Sequence, residues 1–197
     1  MIPSFLNADE LAELWLRKPA ATESTLRVLF LDLDGVIFHE DKDVRTLLPD
    51  ALRRLVRLCY EGHLTIVLIS NARLELSTVQ DFNPLLGDEL CYMLHERAPR
   101  VSPLAPRTVA IAGWIDWALK HREGYDKVRI AGIVDDTAAH YRDALSYITS
   151  SLVLCTYDEG FGPKQDAIIR ASLKLPMTDE WASHPKSGLT DAPEAEL

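Results

Sequence analysis

The stretch LRVLFLDLDGVIFHE, from Leu26 to Glu40, decides how the rest of the chain is interpreted. It opens with a nearly continuous apolar run, which is the pattern of a strand buried on both faces of a parallel sheet. Asp32 and Asp34 follow where this run ends, and Gly35 then allows a tight turn. The sequence therefore predicts a central strand that carries two carboxylates at its carboxyl end.

The acidic pair itself indicates chemistry at this strand end. Two carboxylates so close together repel each other unless a cation or a proton lies between them, and hard oxygen ligands suit Mg²⁺. Ligands of open α/β sheets bind beyond the carboxyl ends of the strands. The D-x-D-G pattern also occurs in calcium loops and in ordinary turns, so an acidic turn without chemistry is the alternative interpretation. The apolar residues on both sides of the pattern favour a catalytic site.

A second apolar run, residues 64–69 (LTIVLI), leads into Ser70 and Asn71. Because the carboxyl ends of parallel strands meet at one edge of a sheet, Ser70 and Asn71 are expected at the same edge as Asp32. A strand that ends in Ser-Asn is common and is weak evidence by itself. Its position one strand-helix unit after the acidic pair is what supports a site at this edge.

A later apolar run, residues 128–134 (VRIAGIV), ends in Asp135 and Asp136. A second acidic pair at a strand end is difficult to explain as solvated surface, because the site would otherwise carry uncompensated like charges. The two acidic pairs together predict a metal site.

VLFLDLDGVI resembles the first motif of the haloacid dehalogenase-like (HAD) superfamily, whose members are mostly Mg²⁺-dependent phosphohydrolases. The resemblance implies that Asp32 is the nucleophile that forms an aspartyl phosphate. It implies that Asp34 is the general acid and base that protonates the leaving group and then activates water. Ser70 and Asn71 are similar to the second motif of the superfamily, which holds the transferring phosphoryl group through a hydroxyl and a backbone N–H.

The third motif of the superfamily is a basic residue near the start of a helix, and Arg107 occupies that place. The sequence pattern R-T-x-A-I-x-x-W that begins at Arg107 is similar to a K-T-x-A-V-x-x-W pattern of small HAD-like domains in RNA repair proteins. Arginine departs from the usual lysine, but a guanidinium can hold phosphate bidentately. Lys120, late in the same helix, is the alternative phosphate ligand.

Asp135 and Asp136 resemble the fourth motif of the superfamily. The resemblance implies that one of the two binds Mg²⁺ together with Asp32 and the backbone carbonyl of Asp34. By analogy with other D-D forms of the motif, Asp136 is favoured as the direct ligand and Asp135 as its neighbour, and the choice between them stays open.

Length and composition set the broad class of protein. The 197 residues suffice for one domain with a substantial core, and a hydrophobic fraction of 47% is ordinary for a globular protein. A formal charge of −9 argues against broad electrostatic binding of nucleic acid. Cys59, Cys91 and Cys155 lie far apart without metal-ligand spacing, which indicates buried free thiols. No stretch approaches the ~20 apolar residues of a membrane span, so a cytoplasmic location is expected and no membrane partner.

The predicted fold is α/β, a doubly wound, Rossmann-like and mostly parallel sheet of about five strands with helices on both faces. Residues 1–24 are predicted to form an N-terminal helix and linker, residues 25–175 the catalytic domain, and residues 176–197 a disordered tail.

Apolar periodicity gives more local expectations. It predicts a helix over 49–59 that Gly62 ends, a strand over 90–94, a helix over 140–147 and an exposed polar turn over 39–43. The helix that starts at Arg107 is expected to bury six apolar side chains: Val109, Ile111, Trp114, Ile115, Ala118 and Leu119.

The resemblance makes a Mg²⁺-dependent phosphatase the expected function. The segments that follow the Asp32 turn and Ser70 have no room for a separate cap domain, so the site is expected to be open. An open site suits a macromolecular phosphate, such as a nucleic-acid end or a phosphoprotein, or a small substrate enclosed by a partner subunit. A non-catalytic phosphate-binding or scaffolding domain and a phospho-accepting receiver are the alternatives. The sequence does not determine the oligomeric state.

Overall fold

The computed structural model describes residues 25–41, 44–71, 94–97, 106–121, 125 and 127–177. The predicted N-terminal helix, the predicted tail beyond residue 177 and Cys91 lie outside the described residues. The domain boundaries therefore stay a prediction. Within the described residues, Cys59 and Cys155 are buried and free, as predicted.

The described core is a five-stranded sheet. Its strands are β1 (Thr25–Leu31), β4 (Thr65–Leu68), β5 (Leu94–Arg97), β6 (Lys127–Asp135) and β7 (Leu152–Leu154). They lie in the order β5-β4-β1-β6-β7, and every strand pair in the sheet is parallel. The strand that precedes the first acidic pair is therefore central, as its apolar run predicts.

Helices and a hairpin complete the described elements. The helices are α1 (Pro49–Gly62), α2 (Arg107–His121), α3 (Ser146–Thr149) and α4 (Pro163–Leu173), and a 3-10 helix spans Ala138–Tyr141. Strands β2 (Phe38–Asp41) and β3 (Val44–Leu47) form a separate antiparallel hairpin.

The sheet separates two hydrophobic clusters, because side chains alternate between the faces of a strand. Leu29 and Leu31 pack with α1 and α4 in the first cluster, whereas Val28 and Phe30 pack with α2 in the second. The ring of Phe30 meets Trp114 of α2 edge to face at 5.5 Å. Helices on both faces of a parallel sheet confirm the predicted α/β fold class.

Strand register brings the predicted polar residues to one edge. Leu31 of β1 pairs with Leu68 of β4 and with Val134 of β6. The backbone N–H of Asp32 donates to the carbonyl of Val134 at 2.9 Å. The residues that follow these strands therefore emerge side by side at the carboxyl edge of the sheet.

Two local predictions were wrong, and a third can be compared at one residue only. Residues 39–43 were predicted to be a polar turn, yet the described residues around them form the β2–β3 hairpin. Of the predicted strand at 90–94, only Leu94 lies within the described residues, and it is the first residue of β5. The predicted helix at 140–147 is divided into the 3-10 helix and the short α3, with turn residues between them. Apolar spacing alone did not distinguish one continuous helix from two short turns.

Two predicted details of the helices also differ. Gly62 is the last residue of α1, and the left-handed residue that ends the helix is His63, with φ of 51°. In α2, Val109 and Leu119 are 51% and 45% exposed. Arg107 and Ala110 are buried on that helix instead. The apolar residues of α2 cover a wider face of the helix than the part that packs against the sheet.

No helix within the described residues combines the length and the apolar character needed to cross a bilayer.

Candidate active site

The chain turns sharply immediately after β1. The carbonyl of Leu33 accepts hydrogen bonds from the N–H groups of Val36, Ile37 and Phe38 at 3.0 to 3.2 Å, which makes a single helical turn. Gly35 lies in this turn with φ of 69°, a conformation that glycine adopts without strain. The turn leaves Asp32 buried at 2% exposure and Asp34 half-buried at the edge of the sheet.

Three carboxylates converge at this edge. Asp32, Asp135 and Asp136 each offer an oxygen, and these oxygens lie within 4.8 Å of one another. The register of β1 and β6 causes this approach, because it places the two strand ends next to each other. The cluster does not include the carboxylate of Asp34.

Arg107 is the basic residue that the fold brings to these carboxylates. Its Nη1 lies 2.6 Å from Oδ2 of Asp32 and also contacts Oδ2 of Asp135. All three side chains are buried. Burial lowers the pKa of Arg107, but Asp32 and Asp135 outweigh burial and raise it, so the guanidinium stays charged.

Asp135 is surrounded by donors. Its Oδ2 accepts a hydrogen bond from the Tyr141 hydroxyl at 2.6 Å in addition to the contact with Arg107. Its Oδ1 accepts from the backbone N–H of Thr137 at 2.9 Å. Burial raises the pKa of Tyr141, which keeps the hydroxyl protonated and able to donate.

Asp136 has a different environment. Its Oδ1 accepts a hydrogen bond from the Thr137 hydroxyl at 2.9 Å. Its carboxylate packs against Gly35, where a side chain would collide with it. It is half-buried, whereas Asp135 is fully buried.

Electrostatics in the site favour a further cation. Burial raises the pKa of Asp32 to about 6, Arg107 opposes this rise, and the nearby Asp135 adds to it. Among the described residues, three carboxylates share one guanidinium, which leaves two negative charges of the cluster without a described counter-charge. A divalent cation would remove this repulsion.

The residues of this site fit Mg²⁺. The Oδ1 atom of Asp32 is buried, and no hydrogen bond reaches it from the residues that the structure describes. A buried carboxylate oxygen without a donor is costly. Carboxylate oxygens are the ligands that Mg²⁺ takes from proteins. Asp32, Asp135 and Asp136 are therefore the side chains that could hold the ion.

The remaining predicted site residues lie at different depths. Ser70 follows β4 and is fully buried, while the adjacent Asn71 is exposed. Lys120 pairs with Asp116 at 2.6 Å on the exposed side of α2, so the structure brings Arg107 and not Lys120 to the carboxylates.

Sequence reasoning missed three neighbours of the acidic pair: Thr137, His140 and Tyr141. Thr137 could have been found, because an Asp side chain commonly accepts the N–H two residues later. His140 Nδ1 lies 3.8 Å from Asp135 Oδ2. Nothing in the sequence marks Tyr141 as a partner of Asp135, because the contact depends on how the 3-10 helix packs.

The described sheet is parallel and doubly wound, with one acidic pair after its central strand and a second after the neighbouring strand. Residues 28–165 match the family model described as the HAD domain in Swiss Army Knife RNA repair proteins, so the chain belongs to that family. Membership supports a phosphohydrolase-like function. A search of curated proteins and a search of solved structures each found no significant match.

The turn geometry gives a testable prediction at Gly35. A Cβ at this position would overlap Oδ2 of Asp136 and lie 2.7 Å from its Cβ. The left-handed backbone costs a further ~1–2 kcal/mol for a residue other than glycine. Gly35→Ala is therefore expected to displace Asp136 and to weaken Mg²⁺ binding by at least about tenfold, measured by titration calorimetry.

Gly62→Ala is the matched control, because Gly62 ends α1 at the amino edge of the sheet, away from the site. It is expected to leave the Mg²⁺ affinity unchanged. Equal Mg²⁺ affinity in Gly35→Ala and the wild type would show that Asp136 does not bind the ion.

Proposed function

We propose that the chain is a Mg²⁺-dependent phosphomonoesterase that acts through an aspartyl phosphate on Asp32. The observation that carries this proposal is the convergence of Asp32, Asp135 and Asp136, with a buried Asp32 oxygen to which no described residue donates. A cation that is not part of the polypeptide would satisfy this oxygen and neutralise the repulsion between the carboxylates. The family of the chain supports the same class of reaction.

The roles proposed for Asp32 and Asp34 are those that the family resemblance implies. One oxygen of Asp32 attacks phosphorus, the bond from phosphorus to the ester oxygen breaks, and Asp34 gives a proton to that leaving oxygen. Asp34 then takes a proton from water, which attacks phosphorus and releases inorganic phosphate and Asp32. Splitting the hydrolysis through a covalent intermediate replaces one difficult step by two easier ones. When bound, Mg²⁺ neutralises charge on the phosphoryl oxygens.

Arg107 is proposed to bind the phosphoryl group. Its Nη1 contacts the carboxylates of Asp32 and Asp135. Its Nε is buried, and the Nε–H group donates to no acceptor among the described residues. A guanidinium has several N–H donors in a fixed plane, so one edge can hold the carboxylates while another meets phosphate. Ser70 and Asn71, at the end of the neighbouring strand β4, are proposed to hold the remaining phosphoryl oxygens.

The proposed substrate is a phosphate on a macromolecule, such as a nucleic-acid end or a phosphoprotein. Between the Asp32 turn and α1 the described chain forms only the small β2–β3 hairpin, with no domain that would enclose a metabolite. The family description names RNA repair proteins, which favours a nucleic-acid end. The formal charge of −9 makes recognition of a terminal phosphate more suitable than broad binding along a strand.

The test is phosphate release from a panel that contains an aryl phosphate, nucleotides, sugar phosphates, a phosphopeptide, and RNA or DNA with 5′- or 3′-phosphates. We expect turnover that requires Mg²⁺, stops with chelator and is fastest on polynucleotide ends. Faster turnover of the phosphopeptide than of the polynucleotides would identify phosphoproteins as the substrate class. If the folded protein binds Mg²⁺ and phosphate but turns over no substrate of the panel, the proposed enzymatic activity is overturned, and a phosphate-binding domain becomes the better interpretation.

A further inference from the structure

We propose that Asp135 and Tyr141 form a positioning pair that fixes the Arg107 guanidinium against Asp32, so that Asp135 serves the arginine and leaves direct metal binding to Asp136. This inference rests on the proposed function, because it assigns Arg107 to the phosphoryl group. It assigns Tyr141 a role in the site that its place in the hydrophobic core does not require.

The acceptor capacity of Asp135 is nearly filled by the protein itself. A carboxylate has about four acceptor positions. Tyr141 and Arg107 occupy two on Oδ2, and the N–H of Thr137 occupies one on Oδ1. Little capacity is left for a metal ion. At Asp136, by contrast, the hydroxyl of Thr137 donates one hydrogen bond to Oδ1, and the carboxylate is half-buried rather than fully buried.

The two neutral donors fix the orientation of the Asp135 carboxylate. Thr137 holds one oxygen at 2.9 Å and Tyr141 holds the other at 2.6 Å. A carboxylate held at both oxygens cannot rotate, so it presents Oδ2 to Arg107 in one direction. The same Arg107 Nη1 also reaches Asp32, and a fixed Asp135 therefore sets where the guanidinium lies relative to the nucleophile.

The packing of Tyr141 is suited to this role. Its ring is 3% exposed and belongs to the same hydrophobic cluster as Ala110 and Trp114 of α2, the helix that begins at Arg107. The core therefore fixes the hydroxyl of Tyr141 and the start of α2 together. A phenylalanine at position 141 would keep this packing and lose only the hydroxyl.

The experiment compares the wild type with Tyr141→Phe by titration calorimetry, first with Mg²⁺ alone and then with inorganic phosphate in the presence of Mg²⁺. We expect phosphate to bind about 10- to 100-fold more weakly to Tyr141→Phe, with Mg²⁺ affinity within about twofold of the wild type because the metal ligands remain. Tyr60→Phe is the matched control. It removes a hydroxyl from a half-buried tyrosine that packs against the other hydrophobic cluster, and it is expected to change neither affinity.

A double-mutant cycle separates positioning from a purely structural effect. If Tyr141 acts through Arg107, Tyr141→Phe is expected to have no further effect on phosphate affinity in an Arg107→Ala background. A penalty of the same size in both backgrounds would overturn the inference. A loss of Mg²⁺ affinity in Tyr141→Phe that parallels the loss of phosphate would also overturn it, because Asp135 would then be a metal ligand.

The outcome for the wild type distinguishes this inference from the proposed function. A wild type that binds neither Mg²⁺ nor phosphate would overturn the proposed function and the inference with it. A wild type that binds both and releases phosphate, with unchanged phosphate affinity in Tyr141→Phe, would overturn the positioning pair alone.

Discussion

Asp32→Asn is expected to lower Mg²⁺-dependent phosphate release by at least about 10⁴-fold on every substrate that the wild type hydrolyses. An amide of the same shape keeps a hydrogen-bond acceptor for Arg107 but is a very poor nucleophile toward phosphorus. The covalent route is then closed. The measurement is kcat on the best substrate of the panel, with thermal unfolding to show that the variant is folded.

Asp116→Asn is the matched control for this loss of a carboxylate. Asp116 lies on the exposed side of α2 and pairs with Lys120, so its replacement is expected to leave kcat unchanged. If Asp32→Asn kept more than about one hundredth of the wild-type kcat, a covalent intermediate on Asp32 would be ruled out.

Arg170→Met is expected to lower the free energy of unfolding by about 3–5 kcal/mol, the typical cost of leaving a buried charge without its partner. Arg170 of α4 is 1% exposed. Its Nε lies 2.8 Å from Asp166 Oδ2, its Nη1 donates to the Pro176 carbonyl at 3.0 Å, and Nη1 also contacts Glu61 of α1. The arginine therefore joins α1, α4 and the chain beyond α4.

The buried carboxylate of Asp166, which loses its partner in this variant, explains the size of the expected loss of stability. Burial raises the pKa of Asp166 even with Arg170 in place, while Arg170 opposes the rise. Burial also raises the pKa of Glu61, but its hydrogen bonds with Arg57 and Arg170 outweigh burial and lower it. Glu61 can still meet solvent without Arg170, whereas Asp166 is 1% exposed and must keep an unpaired charge or take up a proton.

Denaturant unfolding measures this prediction, and Lys120→Met is the matched control. Lys120 pairs with Asp116 on an exposed surface, and its removal is expected to cost less than about 0.5 kcal/mol. Arg170→Met combined with Asp166→Leu is expected to regain part of the lost stability, because apolar replacement of a buried ion pair is often tolerated. An Arg170→Met variant as stable as the Lys120→Met control would show that the buried network contributes nothing.

Much of the fold could be predicted because its signals are local. The apolar run before Asp32 predicted a central parallel strand, and the run before Asp135 predicted a second strand of the same sheet; the order of strands confirms both. The start of a helix at Arg107 was also predicted correctly. The β2–β3 hairpin was not, because its short strands carry mixed polar residues that also suit a turn.

The candidate site, like the fold, was predictable in part. The residue types at the strand ends were visible in the sequence, and the fold brings Asp32, Asp135 and Asp136 together as expected. Their chemical roles stay predictions. Which basic residue reaches the carboxylates could not be decided, since Arg107 and Lys120 lie on the same helix and only packing shows which end meets the sheet edge.

The sequence by itself determined the central strand and the two acidic pairs at the strand ends, because each depends on residues adjacent in the chain. Only the tertiary structure decided that Arg107 bridges Asp32 and Asp135, that Tyr141 donates to Asp135, and that Asp136 packs on Gly35. These contacts join elements far apart in sequence. They depend on strand register and helix packing, which are set by the whole core and have no signature in any single segment.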